Sequence, residues 1–221
     1  MEDKNMKCYK KDYPRPQFVR DNWENLNGTW DFGFDDANLG EKEKWYETFP
    51  GEQKIQVPFT YETKLSGIQD EKRHDNIWYH KMITVDAARL TADRLLIHFE
   101  GSDFHTKLWV NGAYAGDHKG GYSRFSFDIT ELVKDGENEL TVKVEDSFDI
   151  QQPRGKQRWI DENFGCWYVQ TTGIWKTVGT EYVPKIRMDH EKMTTNLHDM
   201  ALEIEYQIDA PESAMAGGKI M

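Results

Sequence analysis

Cysteine is scarce: two residues in 221, Cys8 and Cys166, are too few and too far apart for a disulfide framework or a four-ligand zinc site. Long apolar runs are missing as well. No stretch approaches the ~20 residues that a membrane span needs. Residues 1–11 are polar, without the apolar core of a signal peptide, so the default location is the cytoplasm. Positive charge is in deficit. With 28 Lys and Arg against 39 Asp and Glu, the net charge of -11 would repel a polyphosphate backbone or an anionic membrane, which excludes nucleic acid and membranes as partners. Helical periodicity is weak, limited to turns expected at 41–45 and 130–133, and no βαβ pattern occurs. There is no His-Glu-x-x-His, no Gly-x-Ser-x-Gly and no P-loop, and the seven histidines lack helical ligand spacing, so no metal or other cofactor is implied.

What the chain does have is period-two alternation. Leu95, Ile97 and Phe99 alternate with Leu96, His98 and Glu100, which predicts a strand with one face buried. Residues 104–110 and 113–117 flank Asn111-Gly112, a strong hairpin signal. Phe125, Phe127 and Ile129 give another strand, and Asp135-Gly136 turns the chain into Leu140, Val142 and Val144. Segments 28–34, 54–57, 78–85 and 177–183 complete eight or nine strands. Many strands with few helices predict an all-β antiparallel sandwich, of jelly-roll type at this size. Two stretches, 67–76 and 146–172, read as long loops.

Candidate chemistry is sparse. With so many acidic residues, pairs such as Asp35-Asp36 or Asp161-Glu162 arise freely and read as solvated surface, so none is assigned catalysis. Asn138-Glu139 follows a turn and reads as part of it. Gly120-Gly121 has no helix after it to cradle a phosphate and reads as a bend. Trp30, Trp78 and Trp109 fall in strand patterns and read as sheet or core residues. Trp159, Trp167 and Tyr168 differ, because they lie in the 146–172 loop beside Arg154, Lys156, Gln157 and Asp161. Sugar rings stack on aromatics and need polar partners for their hydroxyls, which makes these seven residues the candidate sugar contacts.

The residues Leu26-Asn27-Gly28-Thr29-Trp30-Asp31-Phe32, Val57-Pro58-Phe59 and Trp78-Tyr79, the whole of 94–130, Gly155-Lys156-Gln157 and Thr172-Gly173-Ile174-Trp175 occur in an order and spacing that resemble the N-terminal domain of family 2 glycoside hydrolases. The resemblance covers about 13–186. It implies a jelly-roll, galactose-binding-domain-like sandwich, followed in family members by an immunoglobulin-like domain and a TIM barrel that carries two catalytic glutamates. The chain then divides into an N-terminal extension at 1–12, the sandwich at 13–184, and the truncated start of an immunoglobulin-like domain at 185–221.

Such enzymes retain anomeric configuration through a covalent glycosyl-enzyme. Without a barrel, the 221 residues alone are expected to hydrolyse nothing. The implied parent is a β-galactosidase-like or β-glucuronidase-like enzyme, and the implied partners are a β-galactoside or related carbohydrate and the C-terminal catalytic domain. In lactose-cleaving members the loop before Gly-Ile lends an Asp to the sugar site. Here the positions before Trp167 are Gly165 and Cys166, so that Asp does not carry over and the sugar is not fixed. Relatives also commonly have Trp where this chain has Gly179, which predicts thinner packing there. The alternatives are a free-standing lectin-like module, with an aromatic platform on a sheet face, and a structural domain that mediates homo-oligomer contacts.

Overall fold

Period-two alternation is realised as two antiparallel sheets packed face to face. One holds β1 (Trp23–Asn25), β12 (Val178–Pro184), β5 (Asp93–Phe99) and β9 (Phe125–Asp128), in that order. The other holds β3 (Gln53–Val57), β2 (Gly28–Phe34), β4 (Asn76–Val85), β10 (Gly136–Glu145), β7 (His105–Val110) and β8 (Ala113–Lys119). The computed structural model describes residues 10–16, 19–148 and 151–211; Cys8, most of the expected 1–12 extension and the tail from 212 lie outside them. No α-helix occurs among the described residues.

Alternate side chains fill the space between the sheets. Leu95, Ile97 and Phe99 of β5 face Trp30, Phe32, Tyr79, Leu108, Val142 and Val144 of the larger sheet, all at most 1% exposed. Each such burial is worth about 1.5–3 kcal/mol. Turn chemistry sets the register. Asn111 and Gly112 both take positive φ, so the β7–β8 hairpin closes on two residues, with Val110 opposite Ala113. Asn138 is part of the neighbouring turn, donating to Lys134 O and Gly136 O.

The outer face of the larger sheet is covered. Residues 35–50 form a strap of hydrogen-bonded turns that includes the expected turn at 41–45 (Trp45 N–H to Gly40 O, 2.8 Å). The Asp35 carboxylate accepts from the Leu39 and Gly40 amides and from Trp78 Nε1 at 2.8–3.0 Å. Glu41 accepts from Lys107 and from buried Lys143. Tyr46, Trp109 and Trp78 stack beneath, with ring centroids 5.1 and 5.3 Å apart. Trp78 and Trp109 are therefore sheet-face residues, and the aromatic face is closed to ligands.

At Gly179 the expected thin packing does not occur, because the neighbouring strand puts Trp23 into the space. Beyond Pro184 the chain forms β13 (Arg187–Asn196) and β14 (Ala201–Asp209), a separate two-stranded sheet. Leu202, Ile204, Tyr206 and Ile208 line one side of β14 and stay exposed. Arg20 ties this hairpin to the sandwich, donating to Met188 O and to Glu181 of β12.

Two strands too short to show periodicity, β6 (Ser102–Asp103) and β11 (Gly173–Ile174), pair at one end of the sandwich. Since β11 follows the 146–172 loop directly, this pairing fixes the end of that loop beside Ser102 and Asp103.

Candidate functional site

The 146–172 loop leaves β10 at Asp146 and returns at Thr172, and buried carboxyl groups fasten both ends. Asp146 accepts from Thr172 Oγ1 (2.7 Å) and from Gln152 Nε2 (2.5 Å), and the Arg154 guanidinium lies 3.5 Å away. The Thr172 amide donates to Glu62 Oε1 at 3.0 Å. Midway along the loop, Gln157 donates to Asp103 Oδ2 (2.7 Å) and accepts from the Thr171 amide (2.9 Å). Burial raises all three carboxyls. Glu62 is pushed up to about 7, and Asp103, which also feels the charge of Asp146, to about 7. Asp146 shifts in the same direction, again chiefly through burial.

Above this seat the loop folds on itself. The Arg158 amide donates to Tyr168 O (2.7 Å) and the Tyr168 amide to Lys156 O (2.8 Å), which makes a narrow tip of the residues between. Trp159 packs edge-on against Trp167 and Phe164, with centroids 4.6 and 5.0 Å apart. The buried Arg158 side chain joins this tip to the 67–76 loop, donating to Gln170 Oε1 (2.9 Å) and to Glu71 O (2.6 Å). The guanidinium groups of Arg73 and Arg154 both lie over the Phe148 ring, 4.5 and 5.1 Å from its centroid. The two loops enclose an open cleft of about 730 Å³, lined by Asp70, Glu71, Lys72 and Arg73 on one side and by Arg158 and Asp161 on the other.

The structure thus divides the sequence-derived candidates. Arg154 and Gln157, 9% and 8% exposed, point inward and hold the loop. Lys156, Trp159, Asp161 and Tyr168 are exposed, and Trp167 is half-buried in the aromatic cluster. Asp161 alone of the seven lines the cleft. Sequence reasoning missed Arg158, Gln170, Glu62 and Asp103. Asp103 lies within 94–130, which carries the family resemblance without marking this residue, and for the others the hint was position in or beside segments without periodicity.

The cleft is lined by polar side chains of both charge signs, which suits a polyhydroxylated ligand better than an apolar one. Among the described residues, no group of three or more His, Cys, Asp or Glu side chains is arranged to hold a metal ion. No helix among them is long and apolar enough to cross a membrane.

Comparison with known proteins agrees with this architecture. Residues 23–184 match the family model described as glycosyl hydrolases family 2, sugar binding domain. A putative β-glucuronidase of Formosa agariphila is 29% identical over 189 residues, covering 83% of this chain and 21% of that protein. A β-galactosidase of Thermoanaerobacter pseudethanolicus is 29% identical over 202 residues, covering 90% and 24%. The solved structure of a β-glucuronidase from an uncultured Clostridium sp. superposes with a TM-score of 0.70 at 27% identity, covering 88% of this chain and 36% of that one. The chain therefore spans less than a quarter of those two curated relatives. From its matched residues and its fold, this chain belongs to glycosyl hydrolase family 2, as a sugar-binding domain of that family.

Proposed function

We propose that the chain serves as a non-catalytic domain of a retaining β-glycosidase that cleaves a β-galactoside or β-glucuronide, and that its two long loops line the sugar site of a barrel in the same protein. The observation that carries this reading is the union of the 67–76 and 151–171 loops through Arg158, which presents one cleft with exposed Trp159 and Tyr168 beside it. In this reading the hairpin from Arg187 is the start of a second β domain, which accounts for the apolar face left exposed on β14. Hydrolysis then comes from two carboxyl groups on the barrel.

A free-standing lectin is less well supported, because the aromatic sheet face that would form its platform is covered by the 35–50 strap. Calorimetry of the 221-residue chain against galactose, glucuronate and short oligosaccharides separates the two readings. Millimolar or no binding is expected, along with no turnover of nitrophenyl β-glycosides; micromolar binding by the chain alone would favour the lectin, and robust turnover would place catalysis within it.

A further inference from the structure

Three carboxyl groups, Glu62, Asp103 and Asp146, converge beneath the loop, and among the described residues the only guanidinium paired with any of them is Arg154. We propose that these carboxyls are positioning residues that share protons rather than charge, so that the seating of the 151–172 segment is under proton control. Each comes from a different element: Glu62 from the turn after β3, Asp103 from β6, and Asp146 from the end of β10. Each also holds a different point of the loop, at the Thr172 amide, at Gln157, and at Thr172 Oγ1 with Gln152.

Full ionisation is unfavourable at this place. Asp103 and Asp146 repel each other, as do Glu62 and Asp146, and Asp75 adds another negative charge beside Asp146. Tyr61 and Tyr79 face Glu62 with hydroxyls that burial keeps protonated, so they supply no cation. Arg73 contributes positive charge from over the Phe148 ring, but its short ion pair is with Asp75. Glu62 Oε2 is buried without a hydrogen-bond partner among the described residues, a costly arrangement for a carboxylate and a milder one for a neutral acid. Gly121 packs directly against Asp103, where a Cβ would lie 2.2 Å from its Oδ1.

The direction follows from proton linkage. In the seated loop Glu62 and Asp103 keep their protons to about pH 7, whereas in an opened loop they ionise near their ordinary values of 4.5 and 3.8. Closure is therefore strongest in mild acid, weakens as pH rises toward 7, and levels off above it. For each carboxyl the opening constant rises by up to about tenfold per pH unit across that window. What this does to sugar binding rests on the reading of the loop as sugar-facing; the seating itself does not.

Hydrogen exchange of the full chain, without sugar, reads the seating directly. The reporters are the Thr172 amide, which donates to Glu62 and reads the seat itself, and the amides of Arg158, Tyr168 and Thr171, which bond within the loop and read its folding above that seat. After correction for intrinsic exchange, their protection should fall by at least tenfold between pH 5 and pH 7 and then flatten, while amides of β4 and β10 do not follow. Asp103→Asn and Glu62→Gln, examined separately so that a failure of one to fold leaves the other, should each reduce the slope. Protection that is constant over that range, an equal slope in the core strands, or an unchanged slope in both variants would overturn the proposal.

Discussion

The indole of Trp23 lies against the α-carbon of Gly179, so close that a Cβ there would come within 2.4 Å of Trp23 Nε1 and 2.8 Å of the Glu24 carbonyl oxygen. The two residues sit on paired strands, with Asn25 opposite Gly179 and Trp23 two positions along. The large side chain at this place thus comes from β1 instead of β12. Gly179→Ala should destabilise the sandwich by about 1–3 kcal/mol through overpacking. Urea unfolding measures this; an unchanged midpoint would mean that Trp23 does not fill the space.

Where the chain alternates, its structure was legible from sequence. The predicted 28–34 strand is β2, and those at 54–57, 78–85 and 95–99 lie within β3, β4 and β5. Asn111-Gly112 and Asp135-Gly136 turn the chain where their backbone preferences require. The three strands that escaped notice, β1, β6 and β11, are two or three residues long, too short to show a period. The 146–172 loop was recognised by its lack of pattern, and the same lack hid which of its side chains turn inward. In a strand, neighbours take opposite faces, but in this loop Gln157 and Arg158 are both buried while Lys156 and Trp159 on either side are exposed. Only tertiary partners, Asp103 and Glu71, decide that.

Arg154 should matter to the fold more than to the ligand. Its guanidinium is paired with Asp146 in a buried setting and donates to Ser147 O. Arg154→Met leaves that carboxylate without its cation and is expected to cost about 3 kcal/mol. The loss should grow with pH, since burial raises the Asp146 pKa and its protonated form needs no counter-charge. Paired urea titrations across pH 4–8 test this, and equal losses throughout would show that the guanidinium does not compensate charge there.

Acid should act on the opposite side of the molecule through His98. Burial, with a like charge on Arg124, lowers its pKa from 6.5, while its ring bonds Ser126 Oγ (2.5 Å) and Glu181 Oε2 (3.0 Å). Burial alone would raise Glu181, but hydrogen bonds from His98 and Tyr13 and the charge of Arg20 hold it below its ordinary value. A histidine that resists protonation binds fewer protons than the unfolded chain below pH 6.5. Stability is therefore lost as pH falls from there toward the folded-state value, by up to about 1.4 kcal/mol per unit. Stability from Glu181 is present above about pH 4.5 and is lost as pH falls through its lowered pKa. His98→Gln should flatten the upper window and Glu181→Gln the lower one in thermal unfolding at pH 4–7; profiles parallel to the parent chain would refute the assignment.

Tyr168 offers the cleanest separation of binding from folding. At 63% exposure its ring stabilises little, so Tyr168→Ala should leave unfolding within about 0.5 kcal/mol of the parent chain. A ring that stacks on a bound sugar is worth about 1 kcal/mol, which corresponds to roughly fivefold in affinity. In a glycosidase of the proposed kind that carries this chain, KM for a nitrophenyl β-galactoside or β-glucuronide is expected to rise by about that factor with kcat little changed, as for any residue that holds substrate without touching the reacting atoms. Gln157→Ala should behave differently, because loss of the Asp103 and Thr171 contacts loosens the whole loop and lowers stability and kcat/KM together. If Tyr168→Ala leaves KM untouched for both glycosides while Gln157→Ala lowers stability alone, the loop is a structural strap and the sugar site lies elsewhere.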